Sequence, residues 1–155
     1  MNSSKRSSKR MSGTTTAAGT KVRVVNAQDE APVNLARMRR LARRAARRLA
    51  IPSEGTLAIT FIDRRRMRAL NRRFLGRDRS TDVLSFRYDG EAICGEIVIA
   101  PREAQAYANT HKLAYEQELG RYVVHGLLHW LGHEDATPMQ QRKMRKMEDR
   151  LLELS

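Results

Sequence analysis

His125-Gly126-Leu127-Leu128-His129, set inside the apolar run from Tyr115 to Leu131, marks the helix around which the rest of the chain packs. A run this long and this apolar predicts a central buried helix. Two imidazoles four residues apart point from one face of it and can bind one divalent metal. Gly132 can end the helix in a left-handed turn and fold the chain back. The return carries His133, Glu134 and Asp135 towards the histidines, and each of the three offers a third donor. Three protein donors leave a fourth position open for water, as a hydrolytic zinc site requires.

The residue after His125 speaks against the commonest use of this spacing. Zinc peptidases of the H-E-x-x-H type use the glutamate after the first histidine as general base. Here that position is Gly126, which has no side chain.

The chain has 155 residues, enough for one modest core, and carries a formal net charge of +13 from 30 Lys and Arg against 17 Asp and Glu. Such an excess predicts a polyanionic partner, with RNA or DNA ahead of an anionic membrane surface. No apolar stretch is long enough to span a bilayer. Residues 1–20 are rich in Ser, Thr, Lys and Arg, with nothing large to bury. They read as a disordered basic tail without the apolar segment of a secretory signal. Cys94, the single cysteine, has no partner for an internal disulfide, and the cytoplasm is the default compartment.

Residues 21–155 read as one domain in which strands and helices alternate. Strands are predicted at Lys21–Asn26, Thr56–Ile62, Thr81–Phe86 and Ala92–Ala100, with a turn at Asp89-Gly90. Helices are predicted from Pro32–Asn34 to about Ala50, from Arg64 to about Phe74 behind an Asp63 cap, from Pro101 towards Lys112, over Tyr115–Leu131, and after Thr137-Pro138. The fold class is α+β, a small mixed sheet of about four strands with helices packed around it. The first two helices are studded with arginines, Arg37 to Arg48 and Arg64 to Arg77, and predict a basic face bordering the metal cleft. No aromatic residue is interleaved in the first, so base stacking there is not expected.

Two segments together narrow the function. One is Thr81-Asp82-Val83-Leu84-Ser85-Phe86, preceded by Leu70-Asn71 and followed by Gly95-Glu96-Ile97-Val98-Ile99; the other is His125-Gly126-Leu127-Leu128-His129-Trp130-Leu131-Gly132. In this order and spacing they resemble the YbeY family of bacterial endoribonucleases, also called rRNA maturation factors. The resemblance implies a compact α+β domain holding a single metal, usually zinc, on three residues of the histidine motif. It implies metal-dependent, single-strand-specific RNA cleavage in rRNA maturation and ribosome quality control, with rRNA and the small ribosomal subunit as partners. No small-molecule cofactor is expected. A non-catalytic ribosome-assembly factor with a structural metal is the alternative.

This sequence departs from the family pattern twice. The third ligand stands six residues after the second histidine, where the family usually has histidine and this chain has Asp135; the resemblance therefore assigns the metal to His125, His129 and Asp135. Two histidines and one carboxylate form a known catalytic set. His133 is the rival ligand. The second departure is Leu75, where the family usually has an arginine suspected of binding phosphate. Arg72, Arg73 or Arg77 are the candidates to replace it. Ser85 is expected to line the cleft or bond backbone, and Asp82 to be a turn or cap residue. Glu118, two helical turns before His125, is expected to hydrogen-bond a ligand histidine or form an ion pair. Trp130 is expected in the core.

Overall fold

A computed structural model describes residues 21–51, 55–88 and 93–153. The basic tail at 1–20 and the turn at Asp89-Gly90 lie outside the described residues. Four strands, β1 (Lys21–Asn26), β2 (Thr56–Phe61), β3 (Val83–Arg87) and β4 (Ile93–Ile99), form one mixed sheet in the order β1-β2-β4-β3. The first three in that order run parallel, and β3 pairs antiparallel with β4 as an edge strand. Among the described residues, five helices surround the sheet: α1 (Leu35–Arg48), α2 (Arg64–Leu75), α3 (Pro101–His111), α4 (Tyr115–Trp130) and α5 (Pro138–Leu152). The α+β architecture is thus as the sequence predicts, with element ends shifted by one or two residues.

Local chemistry sets these boundaries. Asn34 and Asp63 cap α1 and α2 by accepting from the N–H groups of Arg37 and Arg66. Thr137 and Gln140 close a reciprocal capping box at the start of α5. The α1 stripe of Met38, Leu41, Ala42 and Ala45 is buried, and the alanines let the helix lie close to its neighbours. The buried amide of Asn71 donates to the Arg79 carbonyl at 2.9 Å, which ties α2 to the loop leading into β3.

The sheet separates two apolar clusters. The larger packs α1, α4 and α5 on one face, around Phe61, Ile97, Ile99, Leu127 and Leu128. The smaller packs Met67 and Leu70 of α2 against Ile62, Leu84, Phe86 and Val98 on the other. Alternate residues of a strand face opposite sides, so neighbours along β3 and β4 serve different clusters.

Helix α4 lies unusually close to the sheet. A Cβ at Gly126 would stand 2.5 Å from Ile97 Cγ2, so this position faces the strands and has no room for a glutamate. Steric fit thus gives a physical reason for the missing H-E-x-x-H glutamate. One turn on, Trp130 is buried as expected and lies over Gly95, where a Cβ would stand 1.9 Å from its Nε1. The Arg87 guanidinium lies 4.7 Å from the centre of the same ring and donates to the Trp130 carbonyl. Gly95→Ala is expected to destabilise the protein by about 1–3 kcal/mol, the usual cost of overpacking. That exceeds the gain of up to roughly 1 kcal/mol from removing a strand glycine. Urea unfolding monitored by Trp130 fluorescence measures it; an unchanged midpoint would show that the indole is free to move.

Candidate metal centre

The histidine helix presents its polar edge to a cleft of about 260 Å3 between α4 and α5. His125 and His129 stack one turn apart, their rings meeting edge to face with centroids 4.5 Å apart. After Trp130 the chain reverses through Gly132, whose φ of +104° suits glycine. The His133 N–H donates back to the Leu128 carbonyl at 3.0 Å, fixing the reversal. Asp135 returns to the cleft: its Oδ2 is 3.5 Å from His125 Nε2, and its Oδ1 is 3.4 Å from His129 Nε2. Among the described residues, His125, His129 and Asp135 are the group of three metal-ligating side chains whose donor atoms converge. His133 is not part of it.

The donor set fits a divalent ion. Four donors about 2.1 Å from a zinc ion in tetrahedral array stand roughly 3.4 Å from one another. Each histidine Nε2 lies near that spacing from one oxygen of Asp135, Oδ2 for His125 and Oδ1 for His129, and one donor atom from each of the three side chains lies within 4.8 Å of the others.

A second carboxylate holds His125 from behind. Glu148 Oε2 lies 2.5 Å from His125 Nδ1, and Glu148 Oε1 accepts from Arg121 Nη1 at 2.9 Å. Arg121 also donates to Asp149. A carboxylate on Nδ1 keeps the proton there and leaves the Nε2 lone pair facing the cleft. Burial pushes the His125 pKa down; the Glu148 hydrogen bond and charge, with Asp135, outweigh it, and the net direction is upward. Loading a metal there therefore displaces a proton, and affinity falls as the solution becomes more acidic.

Glu148 was not singled out in the sequence, and it fills the role expected of Glu118. Glu118 is buried beside the same cleft, and burial raises its pKa against the lowering pull of Arg121 and Arg145. The described contacts of His125 run to Glu148 and Asp135 instead. A signal for Glu148 did exist: it stands between Met144 and Leu151 on the buried stripe of α5, where a carboxylate needs a partner.

The remaining candidates separate. The Ser85 hydroxyl donates to the Gly126 carbonyl at 3.1 Å, pinning β3 to the histidine helix. Asp82 accepts from the Val83 N–H at 2.8 Å as a turn residue and also lines the cleft. Arg72, Arg73 and Arg77 are not among the residues lining the cleft. Arg72 pairs with Asp78 at 3.5 Å, Arg73 lies over Phe74, and all three are exposed. Leu75, the last residue of α2, is likewise exposed. The expected basic border is also displaced: the cleft's basic residues are Arg121 and Arg145, from α4 and α5, rather than those of α1 and α2. For α2 the reason is topological, since it packs on the opposite face of the sheet; α1 shares the face of α4 and α5, yet none of its residues lines the cleft.

No helix among the described residues is long and apolar enough to cross a membrane. The family model described as Endoribonuclease YbeY matches residues 23–155. An endoribonuclease YbeY of Chlorobium phaeovibrioides is 38% identical over 112 residues, covering 69% of this chain and 76% of that protein. One from Anaeromyxobacter is 37% identical over 133 residues, covering 82% and 69%. The solution structure of a Thermotoga maritima protein superposes with a TM-score of 0.58 at 22% identity, covering 85% of this chain and 87% of that one, a likeness of fold. The sequence match begins in the first strand and runs through every element that builds the cleft, and this chain therefore belongs to the endoribonuclease YbeY family.

Proposed function

We propose that this protein is a metal-dependent endoribonuclease that cuts single-stranded RNA in the cytoplasm, acting in rRNA maturation and ribosome quality control on the small ribosomal subunit. The observation that carries this reading is the gathering of one donor atom each from His125, His129 and Asp135 within 4.8 Å, beside an open cleft that His125 and Asp135 line. Membership in the endoribonuclease family and the net charge of +13 support an RNA substrate.

His125, His129 and Asp135 would hold the ion, with zinc favoured by the nitrogen-rich donor set. A divalent ion held there supplies Lewis acidity, polarising a phosphodiester oxygen and lowering the pKa of water. The chain's own residues do the rest. Glu148 fixes the ring of His125 and its proton at Nδ1. Arg145, exposed at the cleft wall, is placed to receive a phosphate. Arg121 is already held by Glu148 and Asp149, so its role is to position Glu148.

A non-catalytic ribosome-assembly factor with a structural metal is the second reading. It is favoured by Leu75 in place of the family's arginine. Incubating the purified protein with matched single-stranded and duplex RNAs separates the two. Cleavage of the single strand alone is expected; binding without cleavage would favour the assembly factor.

A further inference from the structure

A second concave surface lies on the far side of the sheet. It holds about 430 Å3 between α2 and the β3–β4 pair, walled by Leu70, Phe74, Phe86, Tyr88 and Val98. Strand alternation puts it opposite the histidine helix. Ser85 and Ile97 face α4, through the Gly126 carbonyl and the Gly126 Cα, so Phe86 and Val98, one place along, face away.

Aromatic rings concentrate in it. The chain has three Phe, four Tyr and one Trp, and three of these eight rings meet here. Phe74 is 52% exposed and Tyr88 38%. Phe74 is held edge-on by Phe86, with centroids 5.1 Å apart, and the Arg73 guanidinium lies 5.3 Å from the Phe74 ring centre. Large exposed rings at a groove mark a binding surface.

Charge selects the occupant. Arg66 and Arg73 stand at the groove in a chain of net charge +13, with Arg66 already held by Asp63 and the Ala27 carbonyl. Arg73 has no carboxylate partner among the described residues, which leaves its charge available to a phosphate. Glu96, also in the groove, accepts from the Tyr88 hydroxyl at 3.3 Å. A carboxylate there repels phosphate from the groove itself, yet offers an acceptor to the N–H groups of a base. Aromatic faces for bases beside a cationic group for the backbone, here the guanidinium of Arg73, are the recurring design of single-strand binders.

We propose that this groove is a stacking site for bases of single-stranded RNA, an exosite separated from the metal cleft by the sheet. The proposal rests on the reading of this protein as an RNA-cutting enzyme and adds a second point of contact for that substrate. Because β3 is the edge strand and Asp82, just before it, lines the cleft, an RNA strand leaving the groove reaches the metal centre by rounding a single strand.

The test is fluorescence anisotropy of the full-length protein with a labelled 12-nucleotide single-stranded RNA carrying 2′-O-methyl riboses. Phe74→Ala and Tyr88→Ala are each expected to weaken binding about tenfold, the loss of one stacked base, and Phe74→Trp to retain it. Binding of a duplex of the same sequence should be unchanged. Both alanine variants replace exposed rings, and circular dichroism verifies that they fold. Unchanged single-strand binding in both folded variants would overturn the proposal, and is the result expected if the groove serves a protein segment instead. That failure is distinct from failure of the enzymatic reading, which would show as intact wild-type binding with no cleavage of ordinary RNA.

Discussion

His129→Ala is expected to lower RNA cleavage by about a thousandfold or more while leaving the protein folded. The variant removes one of three donors, and two donors hold a divalent ion poorly. Metal catalysis supplies several kcal/mol of transition-state stabilisation, and each ~1.4 kcal/mol is tenfold in rate. The fold should survive because the His129 side chain is 32% exposed and meets the ring of His125 at an edge, so truncation opens no cavity in the core. Single-turnover cleavage, metal content and thermal denaturation should be measured on one preparation. Lost metal and lost cleavage with a nearly unchanged melting temperature are the expected set. Full activity would remove His129 from the site, and a collapsed melting temperature would make the metal structural.

Glu148→Gln is expected to weaken metal binding by roughly ten- to a hundredfold, the usual cost of losing the carboxylate behind a ligand histidine. Glutamine keeps the size of the side chain but loses the charge that holds the proton on His125 Nδ1. It also leaves Arg121 with Asp149 as its remaining carboxylate. The conservative change matters. Glu148→Ala would leave the partly buried Arg121 guanidinium beside a void, a loss of packing and charge pairing that would hide any effect on the metal. Competition with a chromophoric chelator reads the affinity directly. Unchanged affinity would mean that His125 keeps its orientation without Glu148.

These two residues show what the sequence makes visible. His129 is legible because its partner is four residues away, and a helix converts that spacing into one face. Asp135 is less legible: Gly132 marks the reversal that returns the chain, but the reversal leaves His133, Glu134 and Asp135 all eligible, and the family resemblance rather than local geometry selects Asp135. Glu148 lies 23 residues beyond His125, and only the packing of α5 on α4 brings them together. Glu118 is the more visible carboxylate because it shares the helix with the histidines, yet the described contacts of His125 go elsewhere. The arginines of α2 illustrate the same limit. Their charge is plain in the sequence, but the face of the sheet on which α2 packs is a tertiary fact. Four strands and five helices follow from local periodicity and caps; which helix shares a cleft with which does not.

RNA cleavage by this protein is expected to require a metal held by His125, His129 and Asp135. The most direct measurement is the metal content of the pure protein, followed by cleavage of one single-stranded RNA before chelation, after chelation and after return of stoichiometric zinc. About one transition metal per chain, with activity lost on its removal and recovered on its return, is the predicted result. Undiminished cleavage by protein shown to be free of metal would contradict the account.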